Sequence, residues 1–333
     1  MKVSVVILNY NGGELTARAI KSVLAQKEIT PEIIVIDNGS TDGSRERLEE
    51  EFSGKILLKV NPKNYGFAPA CNQGFELASG EWVALLNNDA WADPRWLKTS
   101  LERAEIEKGK IGIVVPKIIR NFERDQLDGI GVGFYLDGLS RAKHRGEIDS
   151  RRFDLEPVYI PSGCACLLNK EMIKELKGFD PDFFIYSEDT DLGIRAYLRG
   201  WRCLFEPRAV VYHSYSQTTS AGSGYSSFKL YQVERNRLWI LFRYYPWYFI
   251  IFFPFFSLLR YINQVFSAGK GAGDLKIWSW MGAFFRAYLD AFLSFPEQLR
   301  WRREWLRGEK QKNQIKELLR IQAISLKEIS RLD

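Results

Sequence analysis

The chain of 333 residues contains 46% hydrophobic residues and carries a formal net charge of +6. A sequence of this length and composition can bury a sizeable core, which excludes a disordered or fibrous protein. Its four cysteines lack the paired Cys-x-x-Cys spacing of zinc or dithiol sites, so we expect buried, reduced thiols.

The positive charge is concentrated toward the end of the sequence. Residues 235–333 contain 17 basic and 8 acidic side chains, whereas residues 1–234 contain 30 and 33. A basic excess can indicate binding to nucleic acid or to anionic lipid. The residues that accompany the charge must therefore distinguish between these partners.

Five apolar runs in the first third of the chain alternate with helix-like patterns. The runs are typical of buried strands and cover residues 3–8, 32–37, 55–60, 82–86 and 111–115. The pattern at residues 14–26 predicts a helix, and Ser40-Thr41-Asp42 would cap a second helix over residues 45–51. This order of strands and helices predicts an α/β fold with a mostly parallel sheet.

Polar triplets follow three of the predicted strands. They are Asn9-Tyr10-Asn11, Asp37-Asn38-Gly39 and Asn87-Asn88-Asp89. Ligands of open α/β sheets bind beyond the carboxyl ends of the strands. We therefore expect the three triplets to face one crevice.

The periodicity is weak between residues 116 and 160. Residues 129–133 superficially match a dinucleotide-binding fingerprint, but residues 134–138 are typical of a strand and a turn rather than of a helix. We therefore interpret this segment as a loop or a hairpin. Helical patterns return near residues 170–176 and after residue 187.

Three carboxylates, Glu188, Asp189 and Asp191, lie within four positions at the predicted start of a helix. The helix dipole favours acidic residues there, so they need no catalytic role to explain them. The aromatic residues at 183–186 favour a second interpretation, because a partly desolvated carboxylate can act as a base near neutral pH. The residues alone leave both interpretations open.

The chain has two histidines, His144 in a charged segment and His213 after an apolar run. A single histidine after a strand is most often structural. If His213 meets a carboxylate such as Asp89 across the crevice, the two side chains would suit Mn²⁺ or Mg²⁺. Sequence spacing does not establish that pairing.

Several ordered motifs in residues 1–215 resemble family-2 inverting glycosyltransferases, and in particular their bacterial rhamnosyltransferase-like branch. The resemblance is carried by VSVVILNYNG, IIVIDNGSTDGS, NPKNYGFAPACNQGFELASGEWVALLNNDA and GFDPDFFIYSEDTDLGIRAYLRGW. It implies a Rossmann-like, nucleotide-sugar-binding fold of the glycosyltransferase A type.

The resemblance also implies roles for individual residues. Those that would bind the nucleotide-diphosphate sugar are Asn9, Tyr10, Asn11, Asp37, Asn64, Gly66, Phe67, Asn72, Asn87 and Asn88. Asp89 matches the family's Asp-x-Asp position and would ligate Mg²⁺ or Mn²⁺, with His213 as a further metal or diphosphate contact. Asn87 stands where many relatives have the first Asp, so this sequence lacks one carboxylate of the motif.

Glu188-Asp189 matches the family's Glu-Asp motif. The resemblance implies that Asp189 is the general base that takes a proton from the acceptor hydroxyl, with Glu188 as second choice or orienting partner. Ser162-Gly163-Cys164-Ala165 matches a stretch near the acceptor site, where a small residue leaves room for the sugar. A single in-line displacement would invert the anomeric configuration.

Residues 238–262 form the most apolar part of the chain, and Pro246 and Pro254 interrupt them. Sixteen uncharged residues lie between Arg243 and Arg260, fewer than the roughly 18–20 that a spanning helix needs. A transmembrane helix and a packed core helix stay open as alternatives. The tryptophans and tyrosines favour an interfacial or re-entrant segment.

The sequence after this segment is basic and amphipathic. From Arg300 onward, 10 basic residues accompany 5 acidic ones. Interleaved Trp and Arg beside an apolar run favour an anionic leaflet over nucleic acid. We therefore expect a catalytic domain at residues 1–232 and a helical, membrane-associating region at residues 233–333. This region would hold the protein at the cytoplasmic face of the cell membrane, peripherally or as a re-entrant segment.

The expected function is that of an inverting, metal-assisted hexosyltransferase in cell-surface polysaccharide synthesis. It would move a sugar, with rhamnose as the candidate, from a nucleotide-diphosphate sugar to a hydroxyl of a glycan or polyprenyl-linked glycan. A sugar nucleotidyltransferase would need a basic phosphate loop near the first strand, where only Arg18 lies near Gly12-Gly13. A non-catalytic membrane-bound nucleotide-sugar-binding protein would lose the base, yet Asp189 and Asp89 are both present.

Overall fold

The computed structural model describes residues 1–120, 125–154, 156–214, 226–267 and 277–330. Residues 268–276 and 331–333 of the predicted membrane-associating region lie outside the described residues. The chain divides into two compact units. The first consists of Met1–Gly131 and Gly146–Gly222, and the second of Val132–Arg145 and Ser223–Asp333.

The described strands and helices follow the predicted alternation through the first third of the chain. The strands are β1 Val3–Asn9, β2 Glu32–Asp37, β3 Leu57–Val60, β4 Trp82–Leu86, β5 Ala90–Ala92, β6 Ile111–Arg120, β7 Leu127–Gly129, β8 Val132–Phe134, β9 Ser140–Ala142, β10 Ala165–Asn169 and β11 Arg202–His213. The helices are α1 Gly13–Leu24, α2 Ser44–Glu51, α3 Phe67–Leu77, α4 Trp96–Ile106, α5 Lys170–Leu176, α6 Glu188–Leu198, α7 Ser227–Tyr244, α8 Trp247–Ser267, α9 Ile277–Leu293, α10 Phe295–Trp305, α11 Glu309–Ile321 and α12 Leu326–Ser330.

The sheet of the first unit is mixed, which corrects the prediction of a mostly parallel sheet. Its order is β3-β2-β1-β4-β10-β6-β11-β5, with β7 also paired to β6. The pairs β3–β2, β2–β1, β1–β4 and β6–β11 are parallel, and β10 runs antiparallel to both of its neighbours. The described residues between β6 and β10 contain no α-helix. Because a parallel neighbour is usually reached through a helical crossover, an antiparallel β10 follows from this connection.

The apolar runs form the central strands because both faces of the sheet are covered. All residues of β1 and β4 are buried, and side chains of α1 and α4 join them in one core cluster. The parallel register sets Asn9 of β1 beside Asp37 of β2. The polar residues that follow β1, β2 and β4 therefore start from the same edge of the sheet, as the sequence predicted.

The second unit consists of a short hairpin and six helices within the described residues. Strands β8 and β9 pair antiparallel, so of the two interpretations of this segment, a loop or a hairpin, the structure shows a hairpin. Helix α7 packs against α9 and α10, and α12 packs against α8.

Four buried charged side chains of the second unit form one network. Arg237 Nε lies 2.6 Å from Glu234 Oε2, and Arg260 Nε lies 2.7 Å from Asp137 Oδ2. Arg260 also donates to Glu234 at 3.0 Å, which joins the two pairs into one network. Two acids and two guanidinium groups balance one another there, so each charge has a partner away from water.

Part of the surface of the same unit is apolar. The exposed large hydrophobic side chains on α8 and α9 are Trp247, Tyr248, Ile251, Phe252, Phe255, Leu258, Ile262, Met281, Phe285, Leu289, Phe292 and Leu293. Within the ranges that the structure describes, none of the helices is both long enough and apolar enough to span a bilayer.

Candidate active site

The loop after β4 carries the chain from the middle of the sheet to its edge. Strand β5 pairs antiparallel with the end of β11, which sets Ala90 opposite His213. The N–H of Ser214 donates to the carbonyl oxygen of Asp89 at 2.9 Å. As a result, Asp89 Oδ1 lies 3.2 Å from His213 Nε2. The structure therefore brings together the two residues that the sequence analysis assigned to a metal site.

The other ring nitrogen of His213 contacts a carboxylate that the sequence analysis did not select. His213 Nδ1 lies 2.8 Å from Oδ2 of Asp128, which belongs to β7 and is 8% exposed. The sequence signal for Asp128 is weak, because a single acid before a glycine-rich stretch is common. The imidazole thus lies between two buried carboxylates.

The surroundings of His213 favour a positive charge on the ring. Burial opposes protonation, but Cys164 and the carboxylates of Asp128 and Asp89 raise the pKa of His213 well above its usual value. The proton at Nε2 faces Asp89 in this arrangement. A metal cation at that position would take the place of the proton, because histidine binds a metal ion only as neutral imidazole.

The donor atoms of Asp89 and His213 suit adjacent ligands of one divalent ion. Bonds of about 2.1 Å at right angles separate two ligands by about 3 Å, and the observed separation is 3.2 Å. Within the described ranges, no group of three or more His, Cys, Asp or Glu side chains could hold a metal ion.

Glu188 and Asp189 are the first two residues of α6. Three residues shortly before them have left-handed backbone angles, with φ of 62° at Phe184, 71° at Tyr186 and 68° at Ser187. Such conformations cost about 1–3 kcal/mol each in residues other than glycine. They persist only where the surrounding packing fixes them, so the start of α6 is firmly positioned.

The carboxylate of Asp189 accepts three hydrogen bonds. The N–H of Gly163 donates to Oδ2 at 2.7 Å, and the N–H and hydroxyl of Thr190 donate to Oδ1 at 2.6 and 3.2 Å. Burial raises the pKa of Asp189, while the N–H groups of Gly163 and Thr190 counteract that rise. These donors stabilise the ionised form, which a general base needs.

The neighbouring carboxylate has a drier environment. Glu188 is 5% exposed, and its buried Oε2 has no hydrogen-bond partner among the described residues. Burial, and then the charge of Asp189, raise the pKa of Glu188 well above its usual value. The pKa of Glu188 is thus raised more strongly than that of Asp189, so Glu188 is the member of the pair that keeps its proton to higher pH.

Asp189 and His213 each interact with one of two consecutive residues, Gly163 and Cys164, that lead into β10. Gly163 donates to Asp189, while the thiol of Cys164 hydrogen-bonds with His213. The carbonyl oxygen of Cys164 also accepts from the N–H of Asn87 at 2.8 Å. Asp189 and the Asp89–His213 pair therefore flank one short stretch of backbone.

Asn9 and Asp37, which the resemblance assigned to the nucleoside, are fully buried. The Asn9 amide donates to Asp37 Oδ2 at 2.7 Å and to Ser44 Oγ at 2.9 Å, and its oxygen accepts from Thr16 at 2.6 Å. Asp37 Oδ1 accepts from the N–H of Ser40 at 3.0 Å. Both side chains therefore shape the loops, while the exposed residues after β1 form the surface.

The exposed part of this edge includes Tyr10, which is 43% exposed. Asn11, with φ of 51°, accepts from the N–H of Thr41 at 2.8 Å through its side chain. Its own N–H donates to Ser40 Oγ at 3.0 Å. These hydrogen bonds join the loop after β1 to the loop after β2, next to the exposed Tyr10.

Asn64 belongs to a second amide network. Asn38, which is buried, donates to Asn64 Oδ1 at 2.9 Å and to the carbonyl oxygen of Gly66 at 3.1 Å. Gly66 has φ of +96°, and a Cβ there would lie 2.5 Å from the Phe184 ring. The Phe184 ring therefore leaves no space for a side chain at residue 66. Phe67 stays half-buried beside it at the start of α3.

Asn72 lies in α3 and hydrogen-bonds with the backbone of Phe179. Its amide donates to the carbonyl oxygen of Phe179 at 2.8 Å, and its oxygen accepts from the N–H of Phe179 at 2.8 Å. Both ends of the side chain are therefore engaged with backbone. Its contacts indicate a role in fixing the chain before α6.

The remaining predicted residues lie in the loop between β4 and β5. Asn87 and Asn88 are half-buried. The Asn88 amide donates to the hydroxyl of Thr16 at 3.4 Å, and a Cβ on Gly12 would lie 2.4 Å from the same amide nitrogen. Asn88 therefore links the loop after β4 to the start of α1.

Comparison with known proteins assigns the family. The sequence profile described as glycosyl transferase family 2 matches residues 4–177, which is more than half of the chain. The match includes the loops after β1, β2 and β4, together with Gly163 and Cys164. It ends before Glu188 and Asp189.

Two relatives illustrate the range of similarity. The succinoglycan biosynthesis protein ExoO of Rhizobium meliloti is 32% identical over 111 residues, which covers 33% of this chain and 32% of that protein. The N-acetylglucosaminyl-diphospho-decaprenol L-rhamnosyltransferase of Mycobacterium tuberculosis is 27% identical over 237 residues, covering 65% of this chain and 76% of that one. The match thus spans about a third of the first relative's length and about three quarters of the second's.

Solved structures support the predicted fold type. The structure of GalNAc-T7 with UDP, GalNAc and Mn²⁺ has a TM-score of 0.61, covers 90% of this chain and 57% of that one, and is 19% identical. At this identity the likeness shows the fold alone, which is α/β and similar to the glycosyltransferase A type. The match over residues 4–177 establishes that the chain is a member of glycosyl transferase family 2.

Proposed function

We propose that the protein transfers a sugar from a nucleotide-diphosphate sugar to a hydroxyl group of a glycan or lipid-linked glycan, in cell-surface polysaccharide synthesis. The observation that carries this proposal is that two groups of the site interact with consecutive residues. The Asp189 carboxylate accepts a hydrogen bond from Gly163, and the His213 ring interacts with Cys164. A transferase needs one group to receive a proton and another to support the leaving diphosphate. The names of two relatives, a succinoglycan biosynthesis protein and a rhamnosyltransferase that acts on a decaprenol diphosphate, support the class of product and acceptor.

In this proposal Asp189 is the general base. Its ionised carboxylate accepts the proton of the acceptor hydroxyl as the oxygen attacks the anomeric carbon, and the bond from that carbon to the diphosphate oxygen breaks. A single displacement from the opposite side inverts the anomeric configuration. Gly163 leaves space for the acceptor beside the base, because its missing Cβ would lie 3.4 Å from Asp189 Oδ2.

Asp89 and His213 form the diphosphate side of the site. Asp89 and His213 would hold Mg²⁺ or Mn²⁺, and this ion would offset the charge of the diphosphate. Asp128 holds the ring of His213 from the other side. Tyr10 and the joined loops after β1 and β2 supply the surface for the nucleoside. The name of the rhamnosyltransferase relative supports rhamnose as the candidate sugar.

A thermal-shift panel tests this function. UDP-, GDP- and dTDP-sugars are each added to the protein with and without Mn²⁺ or Mg²⁺. Because a ligand that binds only the folded form raises its stability with occupancy, one donor class should raise Tm, and the cation should enlarge the shift. A panel in which no nucleotide sugar changes Tm contradicts the proposal. Formation of glycosylated acceptor with the stabilising donor then confirms transfer.

We also propose that the second unit binds the cytoplasmic face of the membrane without spanning it. The exposed apolar side chains on α8 include Ile251, Phe252 and Phe255, which are 69%, 58% and 57% exposed. A contiguous apolar surface of this kind is costly in water. The four charges of Asp137, Glu234, Arg237 and Arg260 lie inside instead. Polar groups inside and aromatic groups outside suit an interfacial position in lipid.

Arginines stacked on aromatic rings support an anionic leaflet as the partner. The Arg302 guanidinium lies 4.8 Å from the centroid of the exposed Trp247 ring, and Arg286 lies 5.3 Å from that of Tyr231. Tryptophan and tyrosine prefer headgroup depth, and each basic residue near an anionic surface adds about 1 kcal/mol of attraction. A position at the membrane would bring the first unit to lipid-linked acceptors.

Vesicle flotation tests the membrane proposal. The protein should float with vesicles of phosphatidylcholine and phosphatidylglycerol, and less with phosphatidylcholine alone. The combined change Ile251→Ser, Phe252→Ser and Phe255→Ser should reduce flotation at least about tenfold, since each side chain removed from lipid loses roughly 1.5–3 kcal/mol. Ile106→Ser is the matched control, because Ile106 is 73% exposed in the first unit. Equal flotation of the triple variant, or self-association that buries the face without lipid binding, contradicts the proposal.

A further inference from the structure

We propose that Asp128 is a positioning residue for His213. Asp128 holds the imidazole so that Nε2 faces Asp89 and the diphosphate side of the site. This inference rests on the proposed transferase function, and it assigns a role to a residue outside the motifs that carry the family resemblance.

The sheet topology places the two side chains beside each other. Strand β7 pairs with β6 so that Gly129 lies opposite Ile118, and β11 pairs with β6 so that His213 lies opposite Arg120. Because β6 lies between them, β7 and β11 bring Asp128 and His213 to the same end of the sheet. The contact is made by elements 85 residues apart in sequence.

The contact is short and buried. Asp128 Oδ2 lies 2.8 Å from His213 Nδ1, and both side chains are 11% exposed. His213 Nε2 lies 3.2 Å from Asp89 on the opposite side of the ring. A rotated imidazole would lose one of these two contacts, so the pair of carboxylates fixes the ring plane.

The chemistry of imidazole explains why this orientation matters. A histidine that offers the lone pair of Nε2 to a metal ion carries its remaining proton on Nδ1. A carboxylate at Nδ1 stabilises that tautomer and makes the lone pair of Nε2 a stronger ligand for a metal ion. In metal sites, loss of such a partner typically lowers metal affinity 10–100-fold.

The test uses the full-length protein with ¹⁵N-labelled histidine. The chain contains only His144 and His213, so the ring signals are few and His213→Gln assigns them. Mn²⁺ is titrated with and without whichever of UDP, GDP and dTDP gives the largest thermal shift. The Mn²⁺ concentration that half-broadens the His213 signals reports binding without any turnover.

Three variants separate positioning from general structural damage. Asp128→Ala removes the contact, and Asp128→Asn keeps an oxygen that can accept from Nδ1. Glu206→Gln is the control, because Glu206 is 2% exposed in the same unit and pairs with Arg208 at 2.8 Å. The Mn²⁺ concentration for half-broadening should rise at least about tenfold in Asp128→Ala. It should rise less in Asp128→Asn and stay unchanged in Glu206→Gln.

Two results overturn the inference. One is a folded Asp128→Ala or Asp128→Asn protein whose ring signals and Mn²⁺ response match those of the wild type. The other is wild-type protein in which Mn²⁺ leaves the His213 signals unchanged. Failure of the transferase function has a different signature, namely no thermal shift with any nucleotide sugar while His213 still responds to Mn²⁺.

Discussion

The backbone N–H of Gly163 donates a 2.7 Å hydrogen bond to Oδ2 of Asp189. This bond joins the start of β10 to the start of α6, although 26 positions separate the two residues. It supports the ionised carboxylate and orients it next to a residue that has no side chain. The adjacent Cys164 interacts with His213, so Asp189 and His213 are partners of neighbouring residues in the chain.

Asp189→Asn tests the assignment of the base. The amide keeps the size of the side chain but cannot accept the hydroxyl proton, so kcat should fall by roughly 10² or more. Donor binding, measured by thermal shift, should stay nearly unchanged. Glu188→Gln serves as the comparison, because a protonated Glu188 cannot take up the proton of the acceptor hydroxyl. A near-normal kcat in Asp189→Asn together with a large loss in Glu188→Gln would transfer the role to Glu188.

Asp89→Ala tests the diphosphate side of the site. Loss of a carboxylate that faces His213 should weaken the binding of nucleotide sugar and the response to Mn²⁺ together. Removing a partner from a buried charged pair typically costs about 3 kcal/mol, so part of the change can be structural. Asp93→Ala, at a carboxylate that accepts a local backbone bond at 3.0 Å from Arg95, controls for that part. An unchanged Mn²⁺ titration by calorimetry rejects Asp89 as a ligand.

The raised pKa of Glu188 predicts a pH-dependent stability. Burial disfavours its charged form, so its contribution to folding is complete below about pH 4.3, the usual pKa of glutamate. That contribution is lost as the pH rises through the raised pKa of the folded state. Glu188→Gln does not titrate, so its Tm should exceed that of the wild type at pH 8 by about 2–4 °C and match it near pH 4.5.

Thermal denaturation across this pH range measures the effect. Glu76→Gln, at an exposed position in the same unit, is the control and should shift Tm equally at both pH values. A difference between Glu188→Gln and the wild type that shrinks as the pH rises would contradict the pKa direction.

Gly66→Ala tests the coupling between the donor loop and the base. The new Cβ would lie 2.5 Å from the Phe184 ring at a residue with φ of +96°, so we expect a loss of about 2–3 kcal/mol and a lower kcat. Gly54→Ala is the matched control, because Gly54 has φ of +71° and a Cβ there would meet no atom within 4 Å. It should cost about 1 kcal/mol and leave kcat unchanged. Equal effects of the two changes on kcat would show that Phe184 does not transmit the strain.

Asp137→Asn tests the charged interior of the second unit. Asp137 is fully buried and accepts from Arg260 at 2.7 Å and from Ser257 at 3.0 Å. The amide leaves two guanidinium groups with one acid, which should destabilise the unit by about 3–5 kcal/mol. Denaturant unfolding followed by tryptophan fluorescence measures the loss. Asp290→Asn, at a half-buried acid on α9, is the control. A change smaller than that of the control would show that the network is not needed for folding.

Much of the first unit follows from local pattern. The apolar runs predicted β1, β2 and β4, because strands buried on both faces lose their polar alternation. The polar triplets at their ends fall on one edge of the sheet because β1, β2 and β4 run parallel. The direction of β10 was not predictable, because periodicity reports burial and gives no strand direction. The predicted nucleoside-binding residues Asn9 and Asp37 lie in a buried network, whose partners Thr16, Ser40 and Ser44 come from α1, the loop after β2 and the start of α2.

The sequence by itself determined the α/β class, the family and the residue types available for chemistry, since these depend on local spacing and on ordered motifs. Only the tertiary structure decided which groups meet. The contact of Asp128 with His213, the Gly163 bond to Asp189 and the engagement of Asn72 by Phe179 all join distant segments. Contacts of this kind depend on strand order and on loop paths, which no periodicity in the chain encodes, so three dimensions were needed to find them.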